Sequence, residues 1–363
     1  MKHKLLITSV GSRVGQALLE CLEPLRQKLH ISGTNSTPDA VNLFACDKAW
    51  LLPETAREQD FCTQLAGILR AERPDLVIPA RDQDLEPLAR LRAEAAPEGT
   101  LFLVPPADLT AVFNDKYRTW QFAREHALPF ARTAFTPEEV DALLLTAGLP
   151  LVAKPRWGGH ASQGVYLVQT RAQLAVLQAE QRFVFQELLN PASLAFADDF
   201  SRGLPWVFAI SDAKYIAELL IGRDGEMVSL SCCSMTGSEL GGKNWYVLGD
   251  AAVETVARAY GRVLAAKGLR GPLNLQGKLL ADGRFVAYEL NARFTGSVSA
   301  RAALGYNQPL QAIRHFLEGQ DAFEVHRPGP WLCAAKTPQC YTAISAAAVE
   351  ELHRTGSWQA EPV

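Results

Sequence analysis

The sequence predicts an α/β protein, with a parallel sheet in its first hundred residues and an α+β arrangement of antiparallel hairpins and long helices after it. Three observations carry this. Short apolar, β-rich runs alternate with helical periodicity through residue 104, the order that makes a parallel sheet covered on both faces. Pro105-Pro106 then interrupts the alternation. Beyond it, apolar runs come in pairs around turn residues, Arg223-Asp224-Gly225 and Asp282-Gly283, as hairpins do.

Taken in order, Leu5–Val10 reads as the first strand and Val14–Leu22 as the helix after it. His30–Gly33 is a second strand, Phe61–Glu72 a helix, Leu76–Ala80 a strand, Leu85–Glu94 a helix and Leu101–Val104 a strand. Ligands of such sheets sit beyond the carboxyl ends of the strands, which places Gly11-Ser12-Arg13 and Arg81-Asp82 at a crevice. Gly11-Ser-Arg-Val-Gly15 lacks the third glycine of a dinucleotide fingerprint, and no acidic residue follows the second strand. It reads better as a tight turn opening a helix.

After Asn114-Asp115-Lys116 a helix runs to about His126, and Pro137–Thr146 is a helix with Thr136 as its N-cap. Pro150–Arg156 and Val165–Val168 are strands, joined by the loop 157–164 with Gly158, Gly159, Ser162 and Gly164. Glycines let backbone N–H groups approach phosphate oxygens, although a plain hairpin loop has the same composition. Lys154 at the strand end adds a cation. Phe183–Leu189 is a strand, either an edge strand with a solvated end or one whose Glu187 meets a ligand. Residues 190–206 are irregular, Tyr215–Leu220 pairs with Glu226–Ser231, and Gly241-Gly242 marks a loop. Helices follow at Ala251–Lys267, Pro309–Leu317 and Ala346–His353.

The chain has 363 residues, 48% apolar and 21% charged, with net charge −3, so it is an ordinary globular protein of two or three cores. No dense basic run suggests nucleic acid, and no apolar run is long enough to span a bilayer. Lys2–Thr8 is too short in its apolar part for a signal peptide. Seven scattered cysteines without a Cys-x-x-Cys imply reduced thiols in a cytoplasm and no zinc site.

Asn274–Arg293 carries the densest chemistry. If Asp282-Gly283 is a two-residue turn, paired residues have numbers summing to 565: Gln276 opposes Glu289 and Asn274 opposes Asn291. Strand alternation then puts these four on one face, followed by Arg293, and Leu275, Leu279, Val286, Tyr288 and Leu290 on the other. Such a cluster of oxygens suits Mg²⁺; a half-buried hairpin with a polar solvent face is the plainer reading. A three-residue loop would shift the register and spoil the pairing.

These pieces, in this order, resemble the ATP-grasp superfamily, most closely its carbamoyl-phosphate-synthase-large-subunit-like carboxylate–amine ligases. The resemblance covers roughly residues 1–320 and rests on Ala45–Pro53, Ile78–Asp82, Asn114-Asp115-Lys116, Val152–Arg156 with its glycine loop, Gln186-Glu187, and Gln276 with Glu289-Leu-Asn291-Ala-Arg293. It implies a pre-ATP-grasp parallel-sheet domain at 1–105 and a small ATP-grasp subdomain with the glycine loop at 106–182. A large subdomain with the metal site at 183–320 and a C-terminal extension at 321–363 complete the expected division. By resemblance, Lys116 and Lys154 contact ATP phosphates, with Gly158, Gly159, Ser162 and Gly164 around them. Gln186, Glu187 and Leu189 form the adenine hinge, and Gln276, Glu289 and Asn291 hold Mg²⁺ or Mn²⁺. Arg293, with Lys154, is catalytic.

Gln276 is neutral where many relatives carry a carboxylate. Ala292 replaces a frequent proline, and Lys214 stands where relatives place an acidic ribose ligand, with Asp212 two residues earlier. The implied reaction joins a small-molecule carboxylate to an amine through an acyl phosphate, releasing ADP and phosphate. Arg13, Arg81 and Asp82 are candidate substrate contacts, with Arg81 suited to a carboxylate and Asp82 to an ammonium, or else surface charges at helix starts. His160 and Lys243 are weaker candidates on loops. The expected partners are the two small molecules and a second copy of the chain, with neither nucleic acid nor membrane. A non-catalytic ATP sensor on the same fold, and an oxidoreductase using the first sheet, are the rival readings.

Overall fold

Leu5, Leu6 and Ile7 follow one another in the first strand and all three are buried, which a strand achieves only with both faces covered. The computed structural model describes residues 2–158, 164–189, 213–236, 244–320, 324–329, 334–335 and 345–360. The expectations for Gly159, His160, Ser162, the segment 190–212, Gly241-Gly242 and Lys243 fall outside these residues.

The first sheet contains β1 (His3–Thr8), β2 (Leu29–Asn35), β3 (Lys48–Leu51), β4 (Leu76–Pro79) and β5 (Leu101–Phe102), all parallel in the order β3-β2-β1-β4-β5. Leu5 and Ile7 join the cluster packed by α1 (Arg13–Leu22). Leu6 joins the opposite cluster, under α2 (Glu58–Glu72) and α3 (Leu85–Glu94). Truncating such a residue to alanine costs about 2–5 kcal/mol. The strand order reverses between β1 and β4, so the crevice lies at Ser9–Arg13 and Ala80–Asp82.

Two helices, α4 (Ala107–Asn114) and α5 (Lys116–Glu125), lead into a four-stranded sheet. Its strands are β6 (Thr133–Ala134), β7 (Leu151–Pro155), β8 (Tyr166–Val168) and β9 (Phe183–Glu187), antiparallel in the order β6-β9-β7-β8. Thus β9 lies inside the sheet, flanked by β6 and β7, and the edge-strand alternative is wrong. Helices α6 (Pro137–Ala147), with a capping box at Thr136 and Glu139, and α7 (Arg171–Ala179) cover this sheet with Val140, Leu143, Leu174 and Leu177.

The third sheet comprises β10 (Lys214–Ile221), β11 (Met227–Thr236), β12 (Asn244–Val247), β13 (Gly271–Leu279), β14 (Phe285–Asn291), β15 (Glu324–His326) and β16 (Ala334–Ala335). The path is β14-β13-β10-β11-β12-β16, with β15 parallel to β11. One face packs on α8 (Ala251–Ala266), through Val253, Ala257, Tyr260 and Leu264. Residues 129–131 run along β14 and join the second sheet to the third, through Ala131 N–H to Ala287 O and Ala287 N–H to Pro129 O. Helices α9 (Val298–Ala303) and α10 (Gln308–Glu318) then return to the first sheet, where Phe316 and Val298 enter the cluster of α1.

The chain closes on its own beginning. After α11 (Ala346–Thr355), β17 (Ser357–Gln359) pairs antiparallel with β3 and covers the edge of the first sheet, and Trp358 packs edge-on against Phe44 at 5.3 Å. Among the described residues, Cys21, Cys46, Cys62, Cys232 and Cys233 are buried free thiols, and no helix is long and apolar enough to cross a membrane. Burial pushes the Cys21 and Cys46 thiols up to about 12.

Candidate active site

The hairpin β13–β14 has the predicted site register and not the predicted turn. Asn274 faces Asn291 and Gln276 faces Glu289. Toward the turn, however, Gly277 faces Ala287, Lys278 faces Val286 and Leu279 faces Phe285. Leu280 and Arg284 close a three-residue loop, with Leu280 N–H donating to Arg284 O at 2.8 Å. That loop shifts the pairing by one residue, and a bulge between Gln276 and Gly277, with Tyr288 as the extra residue, shifts it back. A β-carbon on Gly277 would lie 2.4 Å from Val286 O and 2.6 Å from the Phe285 ring, so the bulge requires glycine. It also corrects the expected core face, which on β14 is Phe285, Ala287 and Leu290; Val286 and Tyr288 are not part of that cluster. The Tyr288 ring lies 4.8 Å beneath Lys154 Nζ instead.

On the site face, the Gln276 amide donates to Asn274 Oδ1 at 3.1 Å, and the Asn291 amide donates to Glu289 Oε1 at 3.0 Å. One N–H of each NH₂ group is thereby used. Gln276 Oε1, Asn291 Oδ1 and Glu289 Oε2 accept no hydrogen bond among the described residues. One carboxylate and two amide oxygens on adjacent strands are a donor set that fits Mg²⁺, which keeps water and phosphate in its remaining positions. Burial alone would raise the Glu289 carboxyl, but Lys214, Lys154, the Asn291 amide and Arg293 outweigh it and hold it below its ordinary value.

The lysines reach this face through a second construction. Asp115 caps α5, accepting from the N–H groups of Tyr117 at 2.9 Å and Arg118 at 3.2 Å. The same carboxylate takes Arg156 at 2.9 Å from Nε and 2.8 Å from an Nη. Arg156 is the residue that ends the Lys154-Pro155-Arg156 run, and its guanidinium also lies over Phe135 and Trp157. Asp115 therefore binds the start of α5 to the end of β7, and Lys116 and Lys154 converge as a result. Lys116 Nζ donates to Gly158 O at 2.7 Å, and Lys154 Nζ donates to Gln186 Oε1 at 2.7 Å. Burial pushes Lys154 down to about 8, with Lys116 and Lys214 adding to the effect and Glu289 opposing it. Burial lowers Lys116 in the same way. Gly158 and Gly164 bracket the loop with φ of 65° and 71°, backbone that favours glycine.

Gln186 and Glu187 are both engaged through their side chains. Gln186, held by Thr133 at 3.0 Å, orients Lys154, and Glu187 pairs with Arg132 at 2.6 Å. Leu189 follows β9, half-buried.

Arg293 leaves the hairpin toward the first sheet, where Asp82 takes it at 2.6 Å. Burial lowers the guanidinium's affinity for its proton, but Asp82 and Glu289 reverse the balance and raise it. Arg13 lies beside the same turn: a β-carbon on Gly296 would touch the Arg13 β-carbon at 3.4 Å. Arg81 precedes Asp82 at the crevice, with Gln83 as its hydrogen-bond partner at 3.5 Å. Asp84, fully buried, accepts from Thr8 at 2.7 Å and Ser9 at 3.0 Å, and burial raises it to about 6.

Sequence reasoning missed five contributors, in three places. Asp115 and Arg156 were visible only as neighbours of the lysines. Tyr288 was hidden by the bulge. The buried Glu218–Arg301 pair sits behind the Asn274–Asn291 face, where Glu218 also accepts from Asn274 at 3.3 Å and Thr295 at 2.7 Å. An arginine at the third position after Ser297-Val298 gave no signal of burial.

The Gly11–Gly15 turn behaves as a turn. Gly11 N–H goes to Asn35 Oδ1 at 3.3 Å and Gly15 N–H to Ser12 Oγ at 3.1 Å, so two of its donors are taken. A β-carbon on Gly15 would lie 2.0 Å from Val10 O, which explains the glycine by packing alone.

Residues 5–103 match the family of the PylC-like N-terminal domain. No curated protein sequence matches the chain. Among solved structures, the L-amino acid ligase of Bacillus licheniformis aligns with a TM-score of 0.62 at 18% identity, over 90% of this chain and 78% of its own. The N5-carboxyaminoimidazole ribonucleotide synthetase of Thermus thermophilus gives 0.61 at 19%, over 87% and 78%. The biotin carboxylase domain of 2-oxoglutarate carboxylase from Hydrogenobacter thermophilus, solved with MgADP and bicarbonate, gives 0.61 at 13%, over 88% and 70%. By class, then, the chain has the ATP-grasp fold, a parallel sheet followed by two antiparallel ones. More particularly, residues 5–103, which carry its five parallel strands, are similar to a PylC-like N-terminal domain.

Proposed function

We propose that this chain is an ADP-forming ligase that joins a small-molecule carboxylate to an amine through an acyl phosphate. The observation that carries it is the convergence of Lys116 and Lys154 on the face of Glu289 and Asn291, with Arg293 at its end. Phosphoryl transfer asks for positioning and charge neutralisation, and these groups supply both. The three relatives named above, two ligases or synthetases and a carboxylase domain, support the reading.

In this reading Lys116 and Lys154 hold the ATP phosphates, and the strand end at Glu187–Leu189 meets the base. Gln276, Glu289 and Asn291 would hold Mg²⁺, which neutralises phosphate charge when bound. A carboxylate oxygen forms a bond to the γ-phosphorus as its bond to the β–γ bridging oxygen breaks, releasing ADP. The amine nitrogen then bonds to the acyl carbon, phosphate leaves with the C–O electron pair, and nitrogen loses a proton. Arg293 steadies the phosphoryl group and the acyl phosphate.

The test is the nucleotide product with a competent acid–amine pair, measured by chromatography and phosphate release. ADP with phosphate is expected; AMP with pyrophosphate sinks the mechanism. A binding-only role as an ATP sensor is favoured by one observation, a face with the neutral Gln276 whose one carboxylate, Glu289, already has Lys214 acting on it, and predicts ATP–Mg²⁺ stabilisation with no phosphate release under any acid–amine pair.

A further inference from the structure

The two strands of the hairpin orient their amides by different means. On β14 the Asn291 amide lies two residues from Glu289 and donates to its carboxylate at 3.0 Å. An ionised carboxylate only accepts, so Asn291 must give it the NH₂ end, which leaves Oδ1 for the site face. On β13 the same step joins two neutral side chains, Gln276 donating to Asn274 Oδ1 at 3.1 Å. Such a pair is equally satisfied with both amides turned over, Asn274 donating and Gln276 accepting, and that arrangement would aim an NH₂ group at the metal face. Among the described residues no hydrogen bond within the hairpin decides between the two.

The next strand decides it. Glu218 on β10 stands opposite Asn274 in the ladder, as Asn291 does on the other side, so the three form one row across β10, β13 and β14. Asn274 donates to Glu218 Oε1 at 3.3 Å. The same oxygen accepts from Thr295 at 2.7 Å and from Arg301, which also donates to Thr295 at 2.8 Å and to Ser297 at 3.0 Å. Direction then runs one way. Arg301 only donates and the Glu218 carboxylate only accepts, so Asn274 gives Glu218 its NH₂ and turns its oxygen to Gln276. Gln276 gives Asn274 its NH₂ in turn, and Oε1 is what remains for the face. Glu218 and Arg301 are 1% and 0% exposed, and Glu218 Oε2, Arg301 Nε and Arg301 Nη1 have no partner among the described residues. Stability is a poor explanation for a buried pair so incompletely bonded, since an apolar pair of similar volume commonly does as well.

We infer that Glu218, held by Arg301, is a positioning residue for the metal face: through Asn274 it turns the Gln276 amide so that an oxygen, and not an NH₂ group, meets the cation. The inference rests on the reading of Gln276, Glu289 and Asn291 as metal ligands. It also accounts for a neutral ligand at 276, because a carboxylate there would offer oxygen at either end and need no such relay.

Mn²⁺, standing in for Mg²⁺, is titrated into the full chain with a saturating non-hydrolysable ATP analogue and followed by electron paramagnetic resonance. Asn274→Ala cuts the relay and leaves Glu218 its bonds to Arg301 and Thr295. Glu218→Leu with Arg301→Met cuts it from behind, removing both charges together so that neither is left buried alone. Each should weaken Mn²⁺ binding about tenfold. With Gln276→Glu also present, the same changes should cost less than about twofold, because the relay then has nothing to turn. Melting by circular dichroism checks the fold, and the two variants break the relay at different places, so one that fails to fold leaves the other to decide. Equal losses with Gln276 and with Gln276→Glu, or no loss with Gln276, overturn the relay alone. No Mn²⁺ binding by the unaltered chain overturns the metal reading, and the relay's role with it.

Discussion

The grasp cleft and a cavity of about 540 Å³ beside the first sheet, lined in part by Glu54 and Arg57, both carry charge, but they hold it differently. In the cleft four charged side chains are wired before any substrate arrives: Lys116 to Gly158 O, Lys154 to Gln186, Arg293 to Asp82 and Glu289 to Asn291. In the cavity Glu54 and Arg57 have no ion-pair partner among the described residues. Wired charges cost little reorganisation at the moment of reaction and suit a nucleotide that is always the same. Unwired, exposed charges stay hydrated and keep their rotamer freedom, so nothing there is positioned in advance.

The contrast can be broken most severely from the cleft side. Lys154→Ala and Glu289→Ala should each lower kcat about 10²–10³-fold with the fold intact by circular dichroism. A loss below tenfold in both would remove the cleft from the reaction. Gly277→Ala should follow, because its β-carbon meets Val286 O at 2.4 Å. We expect about 1–3 kcal/mol of destabilisation in denaturant titration, with activity falling as the bulge rearranges and the site pairs slip. Asp82→Asn should cost about tenfold in kcat while changing the ATP dissociation constant much less, since it frees Arg293 and reaches Lys116 only as a more distant charge. A change in ATP affinity instead would place Asp82 on the nucleotide side.

A pH series sharpens the wiring itself. Lys154 sits at about 8. Phosphate favours its charged form, so ATP affinity should hold below that value and decline as pH rises through it. The decline should be severalfold and absent in Lys154→Met. Stability of the unliganded chain carries the opposite sign. The unfolded lysine keeps its proton to higher pH, so burial of this charge destabilises the fold below about 8 and the penalty is relieved above it. The smallest effect belongs to Gln276→Glu, which adds a second carboxylate to the metal face and should lower the Mg²⁺ concentration for half-maximal activity severalfold.

The sequence carried the elements because their signals are local. Thr136 as N-cap announced α6, and the Leu85–Glu94 periodicity matches α3 residue for residue. The site pairing was also legible, but by two compensating departures. Asp282-Gly283 suggested a two-residue turn, the structure closes three, and Gly277 with Tyr288 absorbs the difference. A glycine inside a strand was the available sign of a bulge. The interior place of β9, the Asp115–Arg156 brace and the Asp82–Arg293 contact were not legible. They join residues far apart in the chain, and neither period nor propensity encodes such meetings.

The strand β17 on the edge of β3 has a consequence in time. As the chain is synthesised, residues 3–102 can form their five parallel strands early, but the outer edge of β3 has no partner until residues 357–359 emerge. Until then that edge presents open N–H and C=O groups to any strand nearby. The first sheet is thus begun by residues 3–102 and finished only when residues 357–359 follow, so one of its edges is left open while the two later sheets are being made.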